Sequence, residues 1–185
     1  RCHSEYSVLD GIVRIDDYVA AAKADDMPAL ALTDLNNLFG AIKFYKTARG
    51  KGIKPVLGCD VWLENSAKRE QPYRALLLVQ DDSGYRLLCE LLSRAYLDNQ
   101  YQGRAEIKPE WLQANSNGLL MLIGGTQSEF QIALKQGNQA TAQKSAAFWA
   151  NVFPDRLYIE IQRMVLPQAQ LPQEHQISMA LQVAS

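Results

Sequence analysis

The chain has 185 residues, enough for one domain with a sizeable core, a net charge of −1, 48% hydrophobic and 21% charged residues. That composition excludes a disordered segment, and the charge balance excludes a surface built as a whole to grip a polyanion. No apolar run is long enough to span a bilayer, and three scattered cysteines (Cys2, Cys59, Cys89) form no CxxC pair, which points to reduced thiols in a cytoplasm.

Residues 1–11, RCHSEYSVLDG, crowd His3, Glu5 and Asp10 ahead of a turn at Asp10-Gly11. An imidazole and carboxylates this close suit a metal site, and equally plain surface polarity. Asp16 and Asp17 open a helix through Tyr18, Val19 and Ala22, with acid at its positive end, and Met27-Pro28 stops it. Residues 29–32, ALAL, read as a strand covered on both faces. Thr33-Asp34 then puts a carboxylate just past the strand's carboxyl end, where α/β proteins gather their ligands. Asp34 is a candidate site carboxylate on that ground, and capping the turn is its plainer role.

Asn36-Asn37 are expected to cap a helix over residues 38–48 with Leu38, Ile42 and Tyr45 as its apolar stripe. Its other side carries Lys43, Lys46 and Arg49, followed by Lys51 and Lys54, a face that suits a phosphate backbone or simply water. Residues 53–63 and 73–79 read as buried strands, with Asp60 in the first and a polar loop between them. Asp82-Ser83 cap a long helix with Tyr85, Leu88, Leu91, Leu92 and Tyr96 on its buried side. Residues 101–108 read as loop, Pro109 opens a short helix, and 118–123 is a strand ending at Gly124-Gly125. Helices over 128–136 and 141–153, a strand over 157–162 and a tail helix after Pro172 complete the order of an α/β fold. Trp62, Trp111 and Trp149 read as packing, Cys59 as inert core and His175 as surface. The chain starts inside a strand-like segment and its tail pattern has no helix stop, so it reads as a fragment of a longer protein.

Several stretches together resemble one family. RCHSEYSVLDG looks like the first motif of the PHP domain, the polymerase and histidinol phosphatase module. MPALALTDLNNLFGAIKFYKTARGKGIKPVLGCDV resembles its second and third motifs as they occur in bacterial DNA polymerase III alpha subunits. LLLVQDDSGYRLLCELLSRAY, GLLMLIGG and FPDRLYIEIQR follow in that order. The resemblance covers residues 1–185 as one domain. It implies a distorted seven-stranded (β/α) barrel, here incomplete at the carboxyl end. In metal-bearing members, histidines and carboxylates at strand ends hold ions that activate water for phosphoester cleavage.

Position by position, that site looks dismantled. Arg1 stands at the first histidine of the family's His-x-His and His3 remains at the second. Asp10 matches the family's aspartate, Leu35 stands at the histidine of TDH, and Asp60 replaces a glutamate. Arg74, Gly125 and Met164 stand where the family has histidine, cysteine and histidine. Leu, Gly and Met offer no imidazole lone pair, and a guanidinium does not deprotonate. The resemblance therefore implies a non-catalytic domain with no metal and no cofactor of its own, the polymerase site of the parent subunit using Mg²⁺. Its implied partners are the rest of the alpha subunit, the proofreading exonuclease subunit and DNA through the holoenzyme, with no membrane. Arg1 or Arg74 is expected to pair with Asp10 or Asp60 in place of a metal. The alternative is a working phosphoesterase or 3′–5′ exonuclease in which His3, Asp10 and Asp60 hold Mn²⁺ or Zn²⁺.

Overall fold

The computed structural model describes residues 1–161. Met164, His175 and the expected tail helix lie outside the described residues. The elements run α1 (Ile15–Ala24), β1 (Ala29–Leu32), α2 (Ala41–Gly50), β2 (Lys54–Leu63), β3 (Tyr73–Val79), α3 (Asp82–Asp98), β4 (Gln100–Tyr101), β5 (Arg104–Ala105), α4 (Pro109–Ala114), β6 (Leu119–Ile123), α5 (Glu129–Lys135), α6 (Gln139–Val152) and β7 (Leu157–Ile159). Five strands form one mixed sheet in the order β1-β2-β3-β6-β7. β1 pairs with β2 and β6 with β7 in parallel, while β3 runs antiparallel to both its neighbours. No helix among the described residues is long and apolar enough to cross a membrane.

The sheet's two faces differ. On β2, Cys59, Val61 and Leu63 point into a core with Leu88, Leu91 and Leu92 of α3, Met121 of β6 and Phe130 of α5. The alternate positions, Asp60 and Trp62, lie on the opposite face, as a period of two requires. A second core joins Ile15 and Val19 of α1 to Leu30 and Leu32 of β1 and Phe44 and Ala48 of α2. At the carboxyl ends of the strands the sheet's edges approach each other. Cys2 pairs with Thr33, just past β1, through backbone and hydroxyl, while the neighbouring Arg1 side chain reaches Glu160, just past β7.

Several local expectations are corrected. α2 starts at Ala41 after an uncapped Gly40, and buries Ala41, Phe44 and Ala48. Ile42 is 67% exposed and Tyr45 49% exposed, so the expected stripe lies on the wrong side of the helix. Residues 38–48 hold two interleaved apolar sets, and the one containing the larger Phe44 and the smaller alanines fits the close approach of α1 and β2. Asn36 caps nothing. It adopts a left-handed φ of 56° and its amide spans from Ala105 O to Trp62 N. β1 is not covered on both faces, because its alanines stay half-buried at the sheet's edge. Residues 101–108 hold a short antiparallel hairpin, β4–β5, and not only loop. Asp81, one residue earlier than expected, caps α3 by accepting from Gly84 N.

Candidate functional site

Asp60 is the centre of the candidate site. Its side chain is 1% exposed, on the face of β2 opposite Cys59 and Val61, and sits next to the Asp34–Asn36 turn. Its own N–H donates to Asp34 O, and its carbonyl accepts from Asn36 N. Leu35 is its bridge partner in backbone register. A buried carboxylate needs positive partners, and this one has three. Arg1 Nη1 donates to Asp60 Oδ1 at 2.7 Å. Arg74 Nη2 donates to Asp60 Oδ2 at 2.6 Å, with Nε 3.3 Å from Oδ1. His3 Nε2 lies 3.3 Å from Oδ2.

Strand register explains the Arg74 contact. Trp62 pairs with Arg74 across β2 and β3, so Asp60 is Arg74's diagonal neighbour on the same face. The Arg74 guanidinium also lies 5.0 Å from the centroid of the Trp62 ring. Arg1 arrives differently, on the amino-terminal segment that runs beside Thr33. Its Nε and Nη2 both donate to Glu160 Oε2, at 2.8 and 2.7 Å. One guanidinium thus bridges Asp60 within β2 to Glu160 just past β7.

The glycine pair after β6 makes room for this bridge. A Cβ on Gly125 would overlap the Arg1 guanidinium. Gly124, at a φ of 107°, lets its backbone meet the Glu160 backbone, where a Cβ would strike the Glu160 carbonyl. His3 extends the cluster outward, its Nδ1 lying 2.8 Å from Asp10 Oδ1. Arg1, His3, Asp60, Arg74, Thr126 and Gln127 line a cleft of about 130 Å³.

Protonation follows from these contacts. Burial pushes the Asp60 carboxyl up, but the His3 contact and the charges of Arg1 and Arg74 outweigh it and hold its pKa below the usual carboxylate value. The Asp60 contact raises the His3 pKa, burial opposes it, and Asp10 adds to the rise. Burial pulls the Arg1 pKa down, and Glu160 and Asp60 more than restore it.

The arrangement decides what an ion would meet. Both ring nitrogens of His3 face carboxylates, and two guanidiniums occupy the oxygens of Asp60. A divalent cation approaching Asp60 would displace two permanent positive charges. Among the described residues, no group of three or more His, Cys, Asp and Glu stands ready to hold an ion. With both Asp60 oxygens held by guanidinium groups, this donor set as arranged does not suit a metal.

The structure brings Arg1, His3, Asp10, Asp60, Arg74 and Gly125 together. Asp34 is not aimed at the cluster: it is buried, and its oxygens accept from Ser4 N and Ser4 Oγ, so it ties down the amino-terminal segment. Lys43 leaves the basic face to pair with Glu5 at 3.0 Å and Asp16 at 3.4 Å, while Lys46, Arg49, Lys51 and Lys54 stay exposed. Sequence reasoning missed Glu160. The signal was its polar place between Ile159 and Ile161 at a strand's end. It also missed Ser7, whose hydroxyl donates to Asp10 at 2.6 Å.

The chain matches the family model of the PHP domain over residues 1–164. It is 46% identical over 167 residues to DNA polymerase III subunit alpha of Pseudomonas fluorescens, covering 90% of this chain and 14% of that protein. To the same subunit of Escherichia coli it is 35% identical over 167 residues, with the same coverage of 90% and 14%. The chain therefore spans only 14% of the length of these relatives. A crystal structure from Bifidobacterium adolescentis, described as a candidate metal-dependent phosphoesterase, is similar with a TM-score of 0.58 and 12% identity. It covers all of this chain and 82% of that one, and at such identity the likeness carries the fold alone.

Proposed function

Because this chain belongs to the PHP domain family, we propose that it is the PHP domain of a DNA polymerase III alpha subunit, acting in DNA replication as a scaffold and not as a nuclease. The relatives' name supports the first half of that reading. The Asp60 cluster supports the second. Where a metal-dependent phosphoesterase needs lone pairs and an open coordination position, this chain places Arg1 and Arg74 on the carboxylate. Arginine then does mechanically what a metal would do: it gathers groups from the amino terminus, β2, β3 and the end of β7 at one point. The five-stranded sheet is read as part of the family's seven-stranded barrel. The clasp from Arg1 to Glu160 is what draws its two edges together.

On this reading the domain's partners are the rest of the alpha subunit and the proofreading exonuclease, which it would dock. The exposed basic residues Lys46, Arg49, Lys51 and Lys54 would face DNA only within the assembled polymerase. The test is hydrolysis of a chromogenic phosphodiester by the purified chain with Mn²⁺, Zn²⁺ or Mg²⁺. The scaffold reading expects no turnover above the metal alone. Turnover that disappears in Asp60→Asn would replace it with a nuclease.

A further inference from the structure

Residues 8–13, VLDGIV, form a tight loop whose aliphatic side chains face water. Val8 is 86% exposed, Leu9 90% and Ile12 92%, with Val13 at 36%. A cluster of fully exposed aliphatic residues is uncommon on a free surface and marks a contact site.

This loop is held in shape. Asp10 N and Gly11 N both donate to Ser7 O, at 3.0 and 2.7 Å, and Ser7 N donates to Ser4 O at 2.8 Å. Glu5 N donates to Val13 O at 2.8 Å and closes the loop at its base. A side chain at Gly11 would run into the Ser4 carbonyl, so the turn has one tight geometry. The loop's one carboxylate is engaged by its neighbours: Asp10, its side chain 35% exposed, takes Ser7 Oγ at 2.6 Å and His3 Nδ1 at 2.8 Å. His3 in turn contacts Asp60. The ion cluster therefore engages the loop's one carboxylate and leaves its aliphatic groups facing water. A surface ordered in advance loses little entropy on docking.

We propose that the 8–13 loop docks onto the remaining part of the same polypeptide, with Leu9 and Ile12 entering an apolar recess there. The inference rests on the alpha-subunit reading. In the relatives, the matched segment is 14% of a chain that supplies the rest of the surface. The aliphatic character selects this occupant. Obligate interfaces resemble a core cut in half, whereas partners that come and go meet more polar surfaces.

The test compares Ile12→Cys in this 185-residue chain with Ile12→Cys in the natural full-length polypeptide. Alkylation of the new thiol is measured after subtracting that of Cys2, Cys59 and Cys89 in the unsubstituted proteins. The expected result is at least tenfold slower alkylation in the longer polypeptide, with Leu9→Asp restoring the fast rate there. Equal rates in the two would overturn the proposal. So would slowing that appears in the short chain only at high concentration, which assigns the loop to a second copy. Protection that appears only when the exonuclease subunit is added would also overturn it. A natural polypeptide no longer than this chain would instead sink the alpha-subunit reading itself, before any labelling.

Discussion

Asp60 and Glu106 are both sealed from water, at 1% and 0% exposure, and each lies between two arginines. Glu106 takes Arg69 on Oε2 at 3.1 Å and Arg104 on Oε1 at 2.7 Å. Arg104 also donates to Arg69 O, and Asn99 Nδ2 bonds both Glu64 and the Glu106 carbonyl. That cluster closes on its own backbone and pins the β4–β5 hairpin to residues 64–69. The Asp60 cluster has the same chemistry and a wider reach. It adds His3, Asp10 and Glu160, joins the sheet's edges, and borders an open cleft. Trp62 lies between the two, 5.0 Å from the Arg74 guanidinium and 5.5 Å from that of Arg104. The pairing teaches that a carboxylate between arginines is a structural device this chain uses twice, once closed on its own backbone and once beside an open cleft.

The largest effects should come from the two carboxylates themselves. Asp60→Ala and Glu106→Ala each remove a sealed carboxylate shared by two partly buried arginines, and each should cost about 3–5 kcal/mol in urea unfolding. Equal losses mark both clusters as structural. A neutral or stabilising Asp60→Ala would break the likeness and point to a site kept for chemistry. Next comes the glycine that separates the clusters in kind. Gly125→Ala should cost about 1–3 kcal/mol by overpacking against Arg1. In an Arg1→Ala background most of that cost should vanish, leaving a coupling of about 0.5–3 kcal/mol in the double-mutant cycle.

The pH dependence should also tell the clusters apart. Asp60's depressed pKa means its contribution is full above the ordinary carboxylate value of 3.8 and lost as pH falls through the lower folded value. His3's raised pKa means its contribution is full below 6.5 and lost as pH rises through the higher folded value. Melting temperature should therefore decline from about pH 6.5 upward, and His3→Gln should flatten that limb. Among the described residues no histidine lies beside Glu106, so Glu106→Gln should leave the limb in place. The smallest effect belongs to the exposed pair: Lys43→Ala should leave the melting temperature unchanged within error, since solvent screens its contacts to Glu5 and Asp16.

Much of the fold could be read from the residues because the signals were local. Ser128 and Asn138 cap α5 and α6 where polar residues precede apolar runs, and LLMLI is β6. The misses were of a different kind. The buried face of α2 depends on which of two apolar sets meets α1 and β2, and periodicity alone is indifferent between them. The Arg1 and Arg74 contacts with Asp60 were anticipated from charge balance, whereas Glu160 stands 159 positions from Arg1 and only topology brings them together. Asp34 occupied the expected place after β1, but the backbone turned its oxygens toward Ser4. Glu106, a single acid between Ala105 and Ile107, carried only the same local signal as Glu160, and its partners Arg69 and Arg104 come from the fold.

The central claim is that guanidinium groups hold the place of a metal at Asp60. Metal content of the purified chain, after equilibration with Mn²⁺ and Zn²⁺ and removal of free ion, tests it most directly. The account predicts far less than one ion per chain, unchanged by His3→Ala. One tightly bound ion per chain, lost in both His3→Ala and Asp60→Asn, would contradict it.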